Sequence, residues 1–533
     1  MKKIKILAII LVIAITIVGC NKEEENVSTN EVKSTSAISS DYINLTMVKP
    51  KTLNPIINND KSVGYVMNLI YDGLFTIDQN YDVVSQLVDE YGIAQDGISI
   101  DIKLKDVKWH DGTSVTSKDV KFTVDLIQKN SNSPYSDFVE NISSVSIKND
   151  KEFTIIFKNK YPFSVETLIF PIVSENNIKS LNENDVNNNK NNLIGNGPYK
   201  IENYDERKGM VLGINEEYYD EKISNVKGIK VEIVPDEEVQ VSMVIALRSD
   251  IADVSLNDLS KFYQSEFNIT TYEGRDYESL IFNYENHFLR DINFRKAIAS
   301  AINRDKILEE GYMGDANLAN FPLNTKSRYY NEENKQIEYN KEKAKSYLEN
   351  VNPITDQQVQ DVTEEENKTA EKDIKEQISG LDLKIIVNKE NSERLKSAHM
   401  ISNDLYSIGI KTTINELSSE EMDKAIENKE YDIALIGWKL SSVPDSINII
   451  QNSGYTDEKL TNYITSLLNA TTPNQISDIY NSIQKYVNQN ALFMSLVIRD
   501  DYIVTNRRLK GDILPNDFDV YEGISNLKIE SKK

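Results

Sequence analysis

The chain holds a single cysteine and three histidines in 533 residues, alongside two tryptophans and 12 prolines. One cysteine leaves no intrachain disulfide to build on. The histidines, at 110, 287 and 399, stand far apart, and none sits at metal-ligand spacing from another histidine or a carboxylate. No Gly-x-Ser-x-Gly elbow, phosphate-cradling loop or dinucleotide fingerprint occurs. Carboxylates are abundant, but no two stand out as an acid/base pair. Positive charge is outweighed, 60 Lys and Arg against 84 Asp and Glu, for a net charge of −24. That balance argues against a nucleic-acid partner, which needs basic patches to meet phosphate. The pattern is that of a binder needing no metal or cofactor, and no enzyme is expected.

The N-terminus is specific. Lys2, Lys3 and Lys5 precede an apolar run over 6–18, too short to span a bilayer and right for a signal-peptide core. Cys20 follows the small residue Gly19 directly, and the combination resembles a bacterial lipobox. It implies a signal peptide over 1–19, removed to leave Cys20 acylated, with palmitate among its chains. Several acyl chains on one residue give stable anchoring to a cell membrane. Residues 20–41 are acidic, then Ser/Thr-rich, without apolar periodicity, and are expected to tether the body to the extracytoplasmic face. The Asn-, Lys- and Ile-rich composition points to a Gram-positive cell surface.

The remaining length predicts two to four domains. Residues 42–48 read as a strand, 52–55 as an Asn-Pro turn, and 63–71 as a helix stopped by Gly73. Strict alternation over 97–104 predicts a half-buried strand. Asp111-Gly112 predicts a tight turn, and a capped helix follows from Ser117 with Val120, Val124 and Ile127 on its inner face. The stretch 352–379 is acidic and poor in apolar residues, as in a solvated insertion. Over 431–445 a strand is expected to end at Gly437-Trp438, and a polar loop follows, closing on Pro444-Asp445. Such a strand end can deliver an indole and a carboxylate to a cleft, or simply plug a core.

The ordered set Leu53-Asn54-Pro55, Tyr71-Asp72-Gly73-Leu74-Phe75, Lys108-Trp109-His110-Asp111-Gly112, Gly195-Asn196-Gly197-Pro198-Tyr199, Phe294-Arg295-Lys296-Ala297 and Gly437-Trp438 with Pro444-Asp445 resembles the family 5 extracellular solute-binding proteins. The likeness spans about 42–510. It implies an α/β fold of the periplasmic-binding-protein type, two lobes joined by a hinge with an added third domain. The first lobe would take 42–62, 195–275 and 501–533, the added domain 63–194, and the second lobe 276–500.

The resemblance further implies a monomeric substrate-binding component of an ABC importer, which captures oligopeptides and delivers them to permease subunits. A nickel chelate or an oligosaccharide is the alternative cargo, and a peptide-sensing surface lipoprotein or a surface enzyme the alternative role. Trp438 and Gly437 correspond to cleft-lining positions. The amine-holding aspartate of peptide-binding members falls on Ser441 here, which passes that role to Asp445, unless Asp445 only makes an Asx turn. Tyr135 corresponds to a peptide-touching tyrosine, or else packs within its domain. Asn58 and Ser62 bound a loop that borders ligand. Arg394 and Lys396, ahead of a helix expected over 398–405, lie near a carboxylate-binding arginine, or form a solvated helix start.

Overall fold

The computed structural model describes residues 41–180, 193–220, 226–263, 266–352, 374 and 376–530. The signal segment, Cys20, the tether through residue 40 and most of the acidic insertion lie outside the described residues. The described residues all fall within one compact unit.

Tyr42–Val48 runs parallel to Gly228–Val234, with Gly209–Ile214 and Tyr199–Asp205 continuing a four-stranded sheet. A second four-stranded sheet is Val88–Ile93, Ser99–Leu104, Glu152–Phe157 and Ile142–Ile147. The alternation read over 97–104 puts Ile100, Ile102 and Leu104 in the core. The helix Ser117–Gln128 covers this sheet with Val120, Val124 and Ile127 buried, as its spacing requires. Its cap is Thr116 rather than Ser117, closed by the Asp119 carboxylate on the Thr116 N–H at 2.9 Å. One apolar cluster runs through both sheets, from Ile43 to Phe157 and on to Val520 and Tyr521.

The third sheet is mixed and seven-stranded. Along its main path lie Ile251–Val254, Met494–Asn506, Phe267–Phe282, Ile433–Lys439, Asp382–Asn388 and Lys411–Leu417. Two of these strands are unusually long, 16 residues for Phe267–Phe282 and 13 for Met494–Asn506. They are antiparallel partners that leave the first cluster at Tyr272 and Ile503 and enter another at Leu280 and Met494. Their register slips between Glu273 and Tyr277, where a Cβ on Gly274 would meet the Asp501 carboxylate at 2.5 Å.

Three local expectations are corrected. The helix near Gly73 spans Lys61–Asn68 and ends well before that glycine. Gly73 serves a close approach instead, since a Cβ there would meet the Phe170 carbonyl oxygen at 2.6 Å. The strand Ile433–Lys439 runs through Gly437 and Trp438 and is not broken by them. The helix placed at 398–405 begins much earlier, spanning Ser392–Tyr406, because the Asn391 side chain accepts from the Arg394 N–H and caps it. Arg394 and Lys396 therefore lie within the helix, not ahead of it.

Candidate functional site

A cavity of about 410 Å³ opens between segments remote in sequence. One wall is the loop before the helix Lys61–Asn68. There the Asp60 carboxylate accepts from the Val63 N–H at 3.1 Å, and the Asn58 amide donates to the Asp60 carbonyl at 2.8 Å. This tight cap sets Lys61 at the helix start, with Tyr65 one turn on and its ring 5.4 Å from the ammonium. Arg275, from the register slip, and Ser441 and Ser442, beyond the strand Ile433–Lys439, also line the cavity. Asp517, Phe518, Pro134, Tyr135 and Phe138 are further lining residues.

Asp517 is the electrostatic hub. Its side chain is 2% exposed, yet Arg275 Nε lies 2.5 Å from Oδ2, Lys61 Nζ 3.1 Å from Oδ1, and Lys439 Nζ 3.7 Å from Oδ2. Burial alone would raise the Asp517 carboxyl, but Arg275, Lys61 and Lys439 hold it below its ordinary value. Arg275 is fixed further, donating through Nη1 to the Leu440 carbonyl at 2.8 Å and lying 4.2 Å from the Phe518 ring centroid. Lys61 also reaches Asp253 at 3.0 Å, and Lys439 reaches Asp276 at 3.2 Å. The Ser442 hydroxyl, in a residue 4% exposed, meets no hydrogen-bond partner.

Of the residues singled out from the sequence, Asn58, Tyr135 and Ser441 line this cavity. The others lie elsewhere. Trp438 is half-buried against the small cluster that holds Tyr277, Leu440 and Ile449. Gly437 leaves room for Arg394, whose Nη2 would stand 1.9 Å from a Cβ there. Arg394 itself grips Glu278 through two bonds of 2.7 and 2.9 Å. The Lys396 ammonium donates to the Glu310 carbonyl. Ser62 accepts from the Val48 N–H at 3.0 Å. Asp445 accepts from the Ile447 N–H at 2.9 Å, the Asx-type bond, and from the Tyr161 hydroxyl at 2.8 Å. It borders a narrow adjoining space of about 20 Å³.

Among the lining residues that escaped sequence reading are Lys61, Arg275, Asp517 and Phe518. Lys61 lay within the loop bounded by Asn58 and Ser62, and only the choice of residue missed it. Asp517 and Phe518 fall beyond residue 510, where the resemblance stopped. Among the described residues no group of three His, Cys, Asp or Glu could hold a metal ion, and no helix is long and apolar enough to cross a membrane. His110 serves the fold. Its Nδ1 accepts from the Gly195 N–H at 3.3 Å, so Nε2 donates to the Gly197 carbonyl at 3.0 Å.

Residues 82–461 match the family described as bacterial extracellular solute-binding proteins, family 5. The chain belongs to that family. Among its family 5 relatives, the oligopeptide-binding protein AppA of Bacillus subtilis is 25% identical over 466 residues, covering 84% of this chain and 82% of that protein. The nickel-binding protein NikA of Staphylococcus aureus is 28% identical over 285 residues, 52% of this chain and 55% of NikA. HbpA2 of Haemophilus parasuis superimposes with a TM-score of 0.76 at 18% identity, over 92% of this chain and all of that one (100%). Family membership and this likeness give the family 5 solute-binding protein the mixed α/β fold of periplasmic binding proteins.

Proposed function

We propose that this protein is the substrate-binding component of an ABC importer, capturing oligopeptides in the 410 Å³ cavity and delivering them to membrane permease subunits without chemical change. The observation that carries the reading is the cavity itself. It lies within the roughly 300–1,000 Å³ range of small-ligand sites. Its walls combine fixed charges at Lys61, Arg275 and Asp517 with aromatic faces at Tyr65, Tyr135 and Phe518. A peptide offers matching groups: charged termini, backbone amides and side chains of varied shape. The similarity to AppA supports the same cargo.

In this reading the two long strands Phe267–Phe282 and Met494–Asn506 are the hinge, and their slipped register is where it bends. The first and added domains follow the sequence division at 42–62, 63–194, 195–275 and 501–533, and 276–500 forms the second lobe. Signal cleavage and acylation of Cys20 hold a monomer at the outer face of the membrane.

The test is native purification followed by release and mass spectrometry of whatever the protein retains. Peptides are the expected result; sugars alone would overturn the reading. NikA favours one second reading, a chelated metal, and a metal complex released in place of peptides would establish it.

A further inference from the structure

The chain between 157 and 165 leaves its own core. Phe157, Val165, Leu168 and Phe170 belong to the cluster of the first two sheets. Phe163, between them, is wholly buried in a different cluster with Phe321, Tyr329 and Tyr480. Its ring centroid lies 6.1 Å from that of Tyr329 and 6.1 Å from that of Tyr480, stacked on the latter. Two residues earlier, the Tyr161 hydroxyl donates to Asp445 at 2.8 Å. Tyr480 meets the same loop from its other side, donating to the Pro444 carbonyl at 2.6 Å and accepting from the Ser446 N–H at 3.2 Å. The loop is thus pinned at 444–446, while Ser441 and Ser442 at its other end form cavity wall.

We infer that Tyr161 and Phe163 are positioning residues, a clasp that holds the 440–446 loop in its ligand-lining form and ties the cavity to the seam between the two cores. The inference rests on the reading of the cavity as the ligand site. The clasp is built to part. It is one inserted ring and one hydroxyl–carboxylate bond, joined along the same seam by an Arg328–Asp82 ion pair at 2.6 Å and a Tyr81 hydroxyl bonded to the Glu273 carbonyl at 2.6 Å.

Hydrogen exchange over 440–446 tests this on the unliganded protein. Tyr161→Phe keeps the ring and removes only the hydroxyl; Phe163→Ala withdraws the plug, and Phe163→Leu restores bulk. Exchange over the loop is expected to rise about tenfold in Tyr161→Phe and further in Phe163→Ala, with Phe163→Leu near the parent. Should Phe163→Ala fail to fold, Tyr161→Phe alone decides. With trialanine as probe, the complex of Tyr161→Phe is expected to dissociate about tenfold faster at an unchanged thermal midpoint, since loop order governs escape. Unchanged exchange in Tyr161→Phe overturns the clasp. A parent protein that retains and binds no peptide overturns the peptide reading instead, and leaves the exchange result to judge the clasp on its own.

Discussion

Arg275 and Asp517 stand 242 positions apart in sequence, yet Arg275 Nε lies 2.5 Å from the Asp517 carboxylate. One belongs to a strand that crosses between cores, the other to the C-terminal stretch that packs on the first sheet. The pair therefore joins two segments remote in sequence at the cavity wall.

Removing the hub charge separates its structural from its recognition role. Asp517→Asn leaves Arg275, Lys61 and Lys439 around a neutral amide. Breaking a buried pair costs about 3–5 kcal/mol, but Lys61 is 47% exposed and water takes up part of its charge. We expect a loss of about 1–3 kcal/mol in urea unfolding. Ligand affinity should weaken with it, because Arg275 loses the partner that orients it. An Asn variant as stable as the parent would remove Asp517 from the hub.

Stability should decline as pH rises through the weakly acid range. Burial pushes the Asp500 and Asp501 carboxyls up to about 6, with Asp315 adding at the first, and Asp517 and Asp253 at the second. Burial likewise pushes Glu166 up to about 7, Asp82 adding and Arg328 opposing. Each holds its proton more tightly folded than unfolded. Its contribution is full below the ordinary carboxylate value near 4 and is lost as pH climbs through 6 to 7. Between those limits each proton is worth at most about 1.4 kcal/mol per pH unit. The thermal midpoint is expected to fall between pH 5 and 8, and Asp501→Asn to flatten that slope. A slope untouched by the substitution places its origin elsewhere.

Arg394 offers a test between recognition and support. Its bidentate grip on Glu278, whose side chain is 4% exposed, makes the single variant Arg394→Met costly, about 3–5 kcal/mol, through the carboxylate left behind. Replacing both, as Arg394→Met with Glu278→Leu, should recover much of the loss. Peptide affinity measured on the double variant is expected to match the parent. Loss of affinity there would return Arg394 to the ligand site.

Local pattern was legible where one face meets one core. The period-two stretch at 97–104 and the inner face Val120, Val124 and Ile127 needed only alternation and spacing. Gly437 was misread because a strand glycine looks like a break when the guanidinium filling its missing side-chain space comes from 43 positions upstream, on another element. The same reason hid the cavity. Arg275 sits in an ordinary strand sequence, and nothing near Asp517 announces three cations arriving from Lys61, Arg275 and Lys439. Charge networks assembled from distant segments leave no periodic trace. Of the residues chosen from the resemblance, Asn58 and Tyr135 line the cavity, whereas Asp445 bonds Tyr161 and Arg394 bonds Glu278 outside it.

The anchor can be tested apart from binding. Cys20 follows Gly19 at the end of the apolar run over 6–18, and it is the only thiol available for acylation. One acyl chain holds a protein only marginally and reversibly, whereas two or more give stable retention, at about 0.8 kcal/mol per buried methylene. Cys20→Ala removes every chain at once while leaving the described body, which begins at residue 41, untouched. The variant is therefore expected to appear in the culture medium, to take up no labelled palmitate, and to unfold at the parent's midpoint with the parent's affinity for peptide. Retention of Cys20→Ala at the membrane would show that another segment holds the protein there.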